Sequence, residues 1–365
     1  MPATHIARRD RLREILRERG LDAALVTNLV NVRYLTGFTG TNAALLVYAD
    51  GPGADPGVFG TDGRYDAQSA EQVPELPRVL QRATDQAMAA RAAADGHHTV
   101  GYESHHVTVD GLAELRAAAE QLRLATLNQA VEQLRLTKDN AEIELLRRAC
   151  AIADQALAGL IEAGGLRPGR TERQVGRDLD GRMLDLGAHA VSFETIVATG
   201  PSSAIPHHRP DDRELAAGDL VKLDFGAQYG GYHSDMTRTM VLGEPAGWQR
   251  EIYELVAAAQ RAGSAAVAVG ADVREVDRAA REVIERAGYG ERFSHGLGHG
   301  VGLEIHEAPA LSPLGAGTLA EATPLTVEPG VYLPGRGGVR IEDTLVVRAD
   351  GPELLTLTTK DLVSL

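Results

Sequence analysis

The chain has 365 residues, of which 44% are hydrophobic and 24% are charged, as in ordinary globular proteins. Its formal net charge of −14 at pH 7 repels nucleic-acid phosphates and anionic lipid surfaces, so neither is an expected partner. A single cysteine, no apolar run of roughly 20 residues and no signal-peptide pattern at the N-terminus exclude a disulfide framework and a membrane span, and predict a cytoplasmic protein.

The first third of the sequence alternates helix-like and strand-like segments. A charged amphipathic stretch, RDRLREILRERG at residues 9–20, precedes the strand-like runs DAALVTNL at 22–29 and AALLVYAD at 43–50. A further run of this kind, TVGYESHH, begins at residue 99. This alternation predicts a small α/β domain over residues 1–132.

The second domain, residues 133–365, is expected to begin with a pair of helices. A long amphipathic helix is predicted to end at Gly164–Gly165, and a second one to run from Thr171, which has capping-box spacing to Gln174, as far as Gly187. Three residues are candidate caps for the first helix: Thr137, Asp139 and Asn140. Cys150 lies within this helix among Leu and Ala, where a small buried hydrophobe is expected.

The same order of elements recurs further along the chain. Helical patterns at residues 249–267 and 274–288 are followed by glycine-rich strands and a hairpin at 325–347. The second domain therefore reads as an α+β domain with two copies of helix, helix, strands and hairpin. Two such hairpins are expected to face each other across a pseudo-twofold axis.

Two aspartates interrupt the first hairpin, VKLDFGAQYGGYHSDMTRTM at residues 221–240. Asp224 and Asp235 are spaced evenly about Tyr229 and Gly230, so a turn at that point predicts that they are direct cross-strand neighbours. Like charges in contact are destabilising unless a cation lies between them.

The later hairpin repeats this arrangement, with Glu328 and Glu342 spaced evenly about Gly335. Four converging carboxylates call for hard divalent cations. Three histidines lie in a glycine-dense stretch between the hairpins: His295, His299 and His306. One histidine added to the carboxylates suits manganese, cobalt, iron or zinc, and two such ions can activate water for hydrolysis. The glycine spacing is not a dinucleotide fingerprint, and no G-x-S-x-G elbow is present.

The sequence resembles the pita-bread metallopeptidases, the group of methionine aminopeptidase, aminopeptidase P, prolidase and creatinase. The matching pieces, in the family's order, are IPHHRP, VKLDFGAQYGGYHSDMTRT, HGLGHGVGLEIHE, TVEPGVY and GVRIEDT. NVRYLTGFTGTNAALLV at residues 31–47 is similar to the creatinase-like N-terminal domain of the proline peptidases. The resemblance therefore implies a creatinase-like α/β domain followed by a pita-bread catalytic domain.

This resemblance also implies the residues of the site. The metal ligands would be Asp224, Asp235, His299, Glu328 and Glu342. His207 would lie near the leaving group, with His208 its solvated neighbour, while His295 would line the proline pocket and His306 would stabilise the tetrahedral intermediate. Tyr332 and Arg340 would orient ligands and substrate, although Arg340 could instead be an exposed hairpin arginine.

The implied activity is hydrolysis of an N-terminal Xaa-Pro bond by a hydroxide that bridges two divalent ions, with manganese expected ahead of cobalt, zinc or iron. Glu328 is the candidate proton shuttle. Prolidase, which cleaves only Xaa-Pro dipeptides, is the alternative, but Ala310 stands where some prolidases similar to this chain carry a carboxylate-binding arginine. A non-catalytic binding protein on the same fold and a phosphoester hydrolase are less favoured. Proline-containing peptides are the expected substrates and a homodimer the expected assembly.

Overall fold

The computed structural model describes residues 2–51 and 57–365. The chain divides into two compact units, Met1–Arg135 and Leu136–Leu365. The domain boundary expected at residue 133 stays a prediction. Among the described residues, no helix has the length and apolar character needed to cross a bilayer.

The first unit is built around one six-stranded sheet. Its helices are α1 Pro2–Glu18, α2 Leu29–Thr36, α3 Asp66–Gln72, α4 Thr84–Ala94, α5 Val109–Ala118 and α6 Ala130–Arg135, and a 3-10 turn covers Gly63–Tyr65. Its strands are β1 Ala23–Val26, β2 Ala43–Tyr48, β3 Gly57–Thr61, β4 Arg78–Leu80, β5 Thr99–Tyr102 and β6 Arg123–Thr126. The sheet order is β4-β3-β2-β1-β5-β6, with β1 parallel to β5 and antiparallel to β2. The predicted α/β character of this part of the chain is confirmed.

The second unit contains two helix pairs and several antiparallel sheets. Its helices are α7 Asn140–Glu162, α8 Glu172–Asp185, α9 Gly247–Ala266 and α10 Val273–Arg286, with 3-10 turns at Gly200–Ala204 and Gly290–Arg292. Its strands are β7 Ala190–Val191, β8 Ile196–Thr199, β9 Leu220–Phe225, β10 Ala227–Tyr229, β11 Tyr232–His233, β12 Met236–Val241, β13 Gly298–Gly300, β14 Glu307–Leu311, β15 Pro324–Val327, β16 Gly330–Leu333, β17 Gly337–Arg340, β18 Asp343–Val346 and β19 Glu353–Leu354.

The ends of the first helix pair follow from local capping. Asp139 caps α7 through a capping box with Glu142, and Thr171 caps α8 through a capping box with Gln174. Each box satisfies backbone N–H groups that the first turn leaves without an intrahelical partner. The α8 cap was predicted from the spacing, and Asp139 is the cap among the three candidates for α7.

Each half of the second unit has its own hydrophobic core. In the first half, α7 and α8 share a core with the sheet β12-β9-β8, where Leu157 and Leu223 are fully buried. In the second half, α9 and α10 share a core with the sheet β14-β13-β15-β18-β19, where Val256 and Leu325 are fully buried. The predicted repeat of helix pair, strands and hairpin is confirmed.

Candidate metal centre

The first hairpin turns at Gly230–Gly231, where φ is +59° and +89°. A two-residue turn with positive φ at both central positions favours Gly-Gly. The ladder that follows pairs Asp224 with Thr237, so the prediction that Asp224 lies directly opposite Asp235 is wrong. The turn is centred one residue later than expected. Asp235 precedes Thr237 by two residues, so the two carboxylates are diagonal rather than direct neighbours.

The second hairpin keeps the predicted register. Val327 pairs with Asp343 on one side of the carboxylates, and Gly330 pairs with Arg340 on the other. These pairings place Glu328 opposite Glu342. This part of the prediction is confirmed.

The two hairpins are joined at Thr237. Its carbonyl accepts a hydrogen bond from the backbone N–H of Glu342 over 3.1 Å, and its hydroxyl donates to Glu342 Oε2 over 2.6 Å. Asp235, His299 and Glu342 each place a potential ligand atom within 4.8 Å of the others. Glu328 Oε1 lies 3.5 Å from His299 Nε2. Residues distant in sequence thus converge on one point.

The tautomer of His299 indicates that a cation fits between its ring and the neighbouring carboxylates. His299 Nδ1 lies 2.9 Å from the carbonyl oxygen of Gly300, which can only accept, so Nδ1 carries the proton. Burial lowers the pKa of His299 to about 4, so the ring is neutral near pH 7. The lone pair of Nε2 then faces carboxylate oxygens of Asp235 and Glu328 at 3.6 and 3.5 Å. Acceptors facing acceptors need a cation between them.

The carboxylates also lack enough hydrogen-bond donors and positive charge around them. Asp224 Oδ1 and Glu342 Oε1 are buried and have no hydrogen-bond partner among the described residues. Burial and the neighbouring carboxylates, Glu342 first among them, raise the pKa of Asp235 well above its usual value. Burial raises the pKa of Glu328 to about 7. Oxygen ligands with one imidazole fit divalent cations, so the residues present match the expected metals.

One arginine links the carboxylates to His295 through Tyr332. Arg340 is buried and pairs with Asp224 through Nη2, while its Nε donates to the Thr237 hydroxyl over 3.0 Å. Its Nη1 donates to the Tyr332 hydroxyl over 2.9 Å, and that hydroxyl lies 2.9 Å from His295 Nε2. The alternative that Arg340 is an exposed hairpin arginine is therefore wrong.

His295 is held in one tautomer by this chain of contacts. Its Nδ1 donates to the carbonyl of Gly296 over 2.8 Å, so Nε2 accepts from Tyr332. Burial lowers the pKa of His295 to about 4. Both ring nitrogens are occupied. His295 can therefore offer a substrate the face of a neutral ring, and Phe293 packs edge-on against it.

A cavity of about 650 Å³ opens onto the carboxylates. Its lining includes Asp224, Asp235, His299, Glu328, Glu342, His207, His295, His306 and Arg340. His207 and His306 are exposed in it, and the His306 ring lies edge-on to His299 with 4.5 Å between centroids. Partial burial lowers the pKa of His306. Tyr332 lies behind His295 and is not among the lining residues.

Comparison with known proteins agrees with this geometry. Residues 144–349 match the model of metallopeptidase family M24, and residues 8–137 match the creatinase/prolidase N-terminal domain. The chain belongs to metallopeptidase family M24. The predicted pita-bread fold with a creatinase-like N-terminal domain is thereby confirmed, as is the hydrolase class, and members of this family use divalent metal ions.

Three relatives illustrate the range of M24 peptidases that the chain resembles. It is 38% identical over 358 residues to the uncharacterized peptidase YqhT of Bacillus subtilis, covering 98% of this chain and 99% of the relative. A solved Xaa-Pro dipeptidase from Bacillus anthracis superimposes with a TM-score of 0.94 at 38% identity, covering 99% of this chain and all of the other. An X-Pro aminopeptidase from Thermotoga maritima superimposes with a TM-score of 0.88 at 32% identity, covering 98% of this chain and 99% of the other.

Two features of this M24 site were not anticipated from the sequence. The expectation that His208 is solvated is wrong, because only 10% of its side chain is exposed and it pairs with the buried Glu172. Lys222 is fully buried and donates to the carbonyl of Ile205 over 2.7 Å. Lys222 precedes Asp224 by two residues, so strand alternation could have placed it on the same face.

Lowering the pH is expected to weaken metal binding by this M24 protein. Glu328 has a pKa of about 7, and burial raises the pKa values of Asp235 and Glu342 well above the usual range, so protons compete for the ligand oxygens. We expect the apparent Kd for Mn²⁺, measured by calorimetric titration, to rise at least about tenfold from about pH 8 to about pH 6. A Kd independent of pH in this window would contradict the buried carboxylate cluster.

Proposed function

We propose that this M24 metallopeptidase hydrolyses the bond between an N-terminal residue and proline. The observation that supports the proposal most directly is the set of unpartnered carboxylate oxygens and the His299 lone pair, which share a cavity with the neutral His295 ring. Two divalent ions, with manganese expected, would be held by Asp224, Asp235, His299, Glu328 and Glu342. When bound, they would supply Lewis acidity towards the scissile carbonyl and lower the pKa of water.

Glu328 is proposed to move the proton. Its carboxylate lines the cavity, where it could exchange a proton with a bound substrate. The nitrogen of a scissile Xaa-Pro bond carries no hydrogen, so it must receive a proton before the proline leaves. Glu328 lies at the cavity wall, with 17% of its side chain exposed and Oε1 accepting from Thr326.

The three histidines of the cavity would have different roles: some would bind the substrate, and one would stabilise the negative charge that develops on its carbonyl oxygen. His306 is exposed beside His299 and is proposed to donate to the carbonyl oxygen as negative charge develops there. His207 is proposed to lie near the leaving group. The ring face of His295, with Tyr332 and Arg340 holding its orientation, would contact the proline ring.

We favour an aminopeptidase that accepts peptides longer than two residues. Ala310 is exposed on β14 and pairs with His299 in the ladder. Its methyl group cannot bind the C-terminal carboxylate of a dipeptide, so this position does not restrict substrate length. The similarity to the Thermotoga maritima X-Pro aminopeptidase supports the same proposal.

A strict dipeptidase is the second candidate, and one arginine side chain in the cavity, Arg209, favours it. Arg209 lines the cavity with 82% of its side chain exposed, and it pairs with Glu194 over 2.9 Å. Arg340, by contrast, is buried and committed to Asp224. Arg209 could exchange Glu194 for a dipeptide carboxylate, in line with the name of the Bacillus anthracis relative, an Xaa-Pro dipeptidase.

A panel of three peptides with the manganese-loaded protein separates these candidates. We expect cleavage of an Xaa-Pro-Xaa tripeptide and of Gly-Pro, with an Xaa-Ala-Xaa tripeptide cleaved at least about 100-fold more slowly. Cleavage of Gly-Pro alone would indicate the dipeptidase, provided that Arg209→Ala reduces it. Arg261→Ala, at an exposed position on α9, is the control and should leave it unchanged. Equal cleavage of the alanine peptide would refute both proposals.

The outcome in which no peptide is cleaved and no metal binds would point to the non-catalytic alternative. Light scattering during gel filtration tests the expected homodimer, which stays a prediction, as does a cytoplasmic location.

A further inference from the structure

Two buried basic side chains, Lys222 and Arg340, hold one side of the segment that carries His207. Lys222 Nζ donates to the carbonyls of Ile205 and Pro206 over 2.7 and 3.2 Å. Arg340 Nη1 donates to the same carbonyl of Pro206 over 3.2 Å. The backbone just before His207 is therefore tied to strands β9 and β17.

The other side of the segment is held by Glu172, the first residue of α8. Its side chain is completely buried, and His208 Nε2 donates to its Oε2 over 2.6 Å. The backbone N–H of Asp211 donates to the same oxygen over 3.2 Å, and that of Thr199 donates to Oε1 over 2.7 Å. One carboxylate thus connects the end of β8 with the segment after His207.

His207 itself has no comparable anchor. Its side chain is exposed in the cavity, and no hydrogen bond to its ring is seen among the described residues. The orientation of the ring therefore depends on the backbone around it. Because His208 is the next residue, fixing its ring to Glu172 restricts the backbone rotation that would turn His207 away from the cavity. Pro206 and Pro210 narrow the remaining freedom, since proline fixes φ.

We infer that Glu172, acting through His208, is a positioning residue that directs His207 towards the leaving group. The inference rests on the proposed peptidase function. It adds that His208 acts by its contact with the buried Glu172 carboxylate and does not contact the substrate. Removing that contact should leave metal binding intact and misplace His207, and small misplacements of a reacting group are costly to rate.

A metal site formed by Glu172, His208 and Asp211 is the competing interpretation, because their potential ligand atoms lie within 4.8 Å of one another. Both oxygens of Glu172 already accept backbone N–H groups, and Oε2 also accepts from His208. Asp211 is exposed, and its Oδ1 accepts from the N–H of Arg213. These contacts favour a hydrogen-bonded pair over a cation site.

A double-mutant cycle with His207 tests the inference. We expect Glu172→Gln and His208→Leu each to lower kcat for an Xaa-Pro peptide about 10- to 100-fold, with KM changed less. In a His207→Ala background the same substitutions should change kcat less than about threefold, since the positioned ring is already absent. His208→Gln keeps an N–H donor for Glu172 and should retain most of the activity.

Hydrogen exchange of the metal-free proteins supplies a readout that does not depend on activity. Exchange should become faster in residues 199–212 of Glu172→Gln and in residues 200–212 of His208→Leu, with residues 173–185 of α8 and 196–198 of β8 unchanged. Faster exchange throughout α8 and β8, equal kcat losses with and without His207, or loss of a bound metal ion in Glu172→Gln would each overturn the inference. Turnover by the unmodified protein tests the proposed function separately, whereas the exchange of residues 200–212 tests the Glu172 contact even if no turnover is seen.

Discussion

Replacing Asp235 with asparagine is expected to remove the bound metal and the peptidase activity while the fold is retained. Asp235 is 5% exposed, and burial, followed by the nearby carboxylates of Glu342, Asp224 and Glu328, raises its pKa. Asparagine has nearly the same shape but lacks the negative charge that a divalent cation requires. We expect metal content to fall below one ion per chain and kcat/KM to fall at least about 1,000-fold.

The metal-free form of this variant should be at least as stable as the metal-free parent. A carboxyl group whose pKa is raised in the folded state costs no stability below its unfolded pKa, and the cost grows as the pH rises towards the folded pKa. Asparagine removes that cost at neutral pH. Urea unfolding with a chelator present measures it, and Asp350→Asn, at an exposed position, is the matched control. An Asp235→Asn protein with full metal content and normal turnover would refute the proposed ligand set.

Arg340→Met is expected to be the most destabilising substitution near the site. Arg340 is 2% exposed and bonds to Asp224, Thr237, Tyr332 and the carbonyl of Pro206. Methionine leaves the Asp224 carboxylate buried without its counter-charge, which costs about 3–5 kcal/mol. Tyr332 then loses the donor that holds its hydroxyl against His295 Nε2, so His295 is held less firmly. We expect kcat/KM to fall about 100-fold.

The loss of stability should depend on metal. A divalent cation bound to Asp224 neutralises the carboxylate that Arg340 leaves behind, so the decrease in unfolding free energy should be smaller with manganese than with a chelator. Arg336→Met is the matched control, since Arg336 lies exposed on the same hairpin over the Trp248 ring. Equal losses in both conditions would show that Arg340 acts through packing and not through the charge of Asp224.

The resemblance implies the residues of the candidate site, and the spacing of their carboxylates predicts the register of two hairpins, of which one is correct. Spacing about Gly335 placed Glu328 opposite Glu342, as the strand pairs on either side of them show. The same reasoning placed the turn of the first hairpin one residue too early. The sequence contains Tyr-Gly-Gly-Tyr, and the requirement for positive φ at both central positions selects Gly230–Gly231.

Patterns local in the chain were accessible from the sequence alone, because their energetics involve neighbouring residues. The capping box at Thr171, the alternation of helix and strand in the first unit, and the repeated helix pairs and hairpins of the second are of this kind. So is the coincidence of paired carboxylates with a glycine-rich histidine stretch, which predicted a metal centre.

What the tertiary structure decided are the contacts between elements that the sequence separates. Arg340 meets Asp224 across 116 residues, and His208 meets Glu172 across 36, and neither separation has a period that a sequence pattern could reveal. His208 and Arg340 had both been open to a solvent-exposed interpretation, since such side chains are mostly exposed. Their burial depends on packing of distant strands and helices, which creates the low-dielectric surroundings in which a polar group must find a partner.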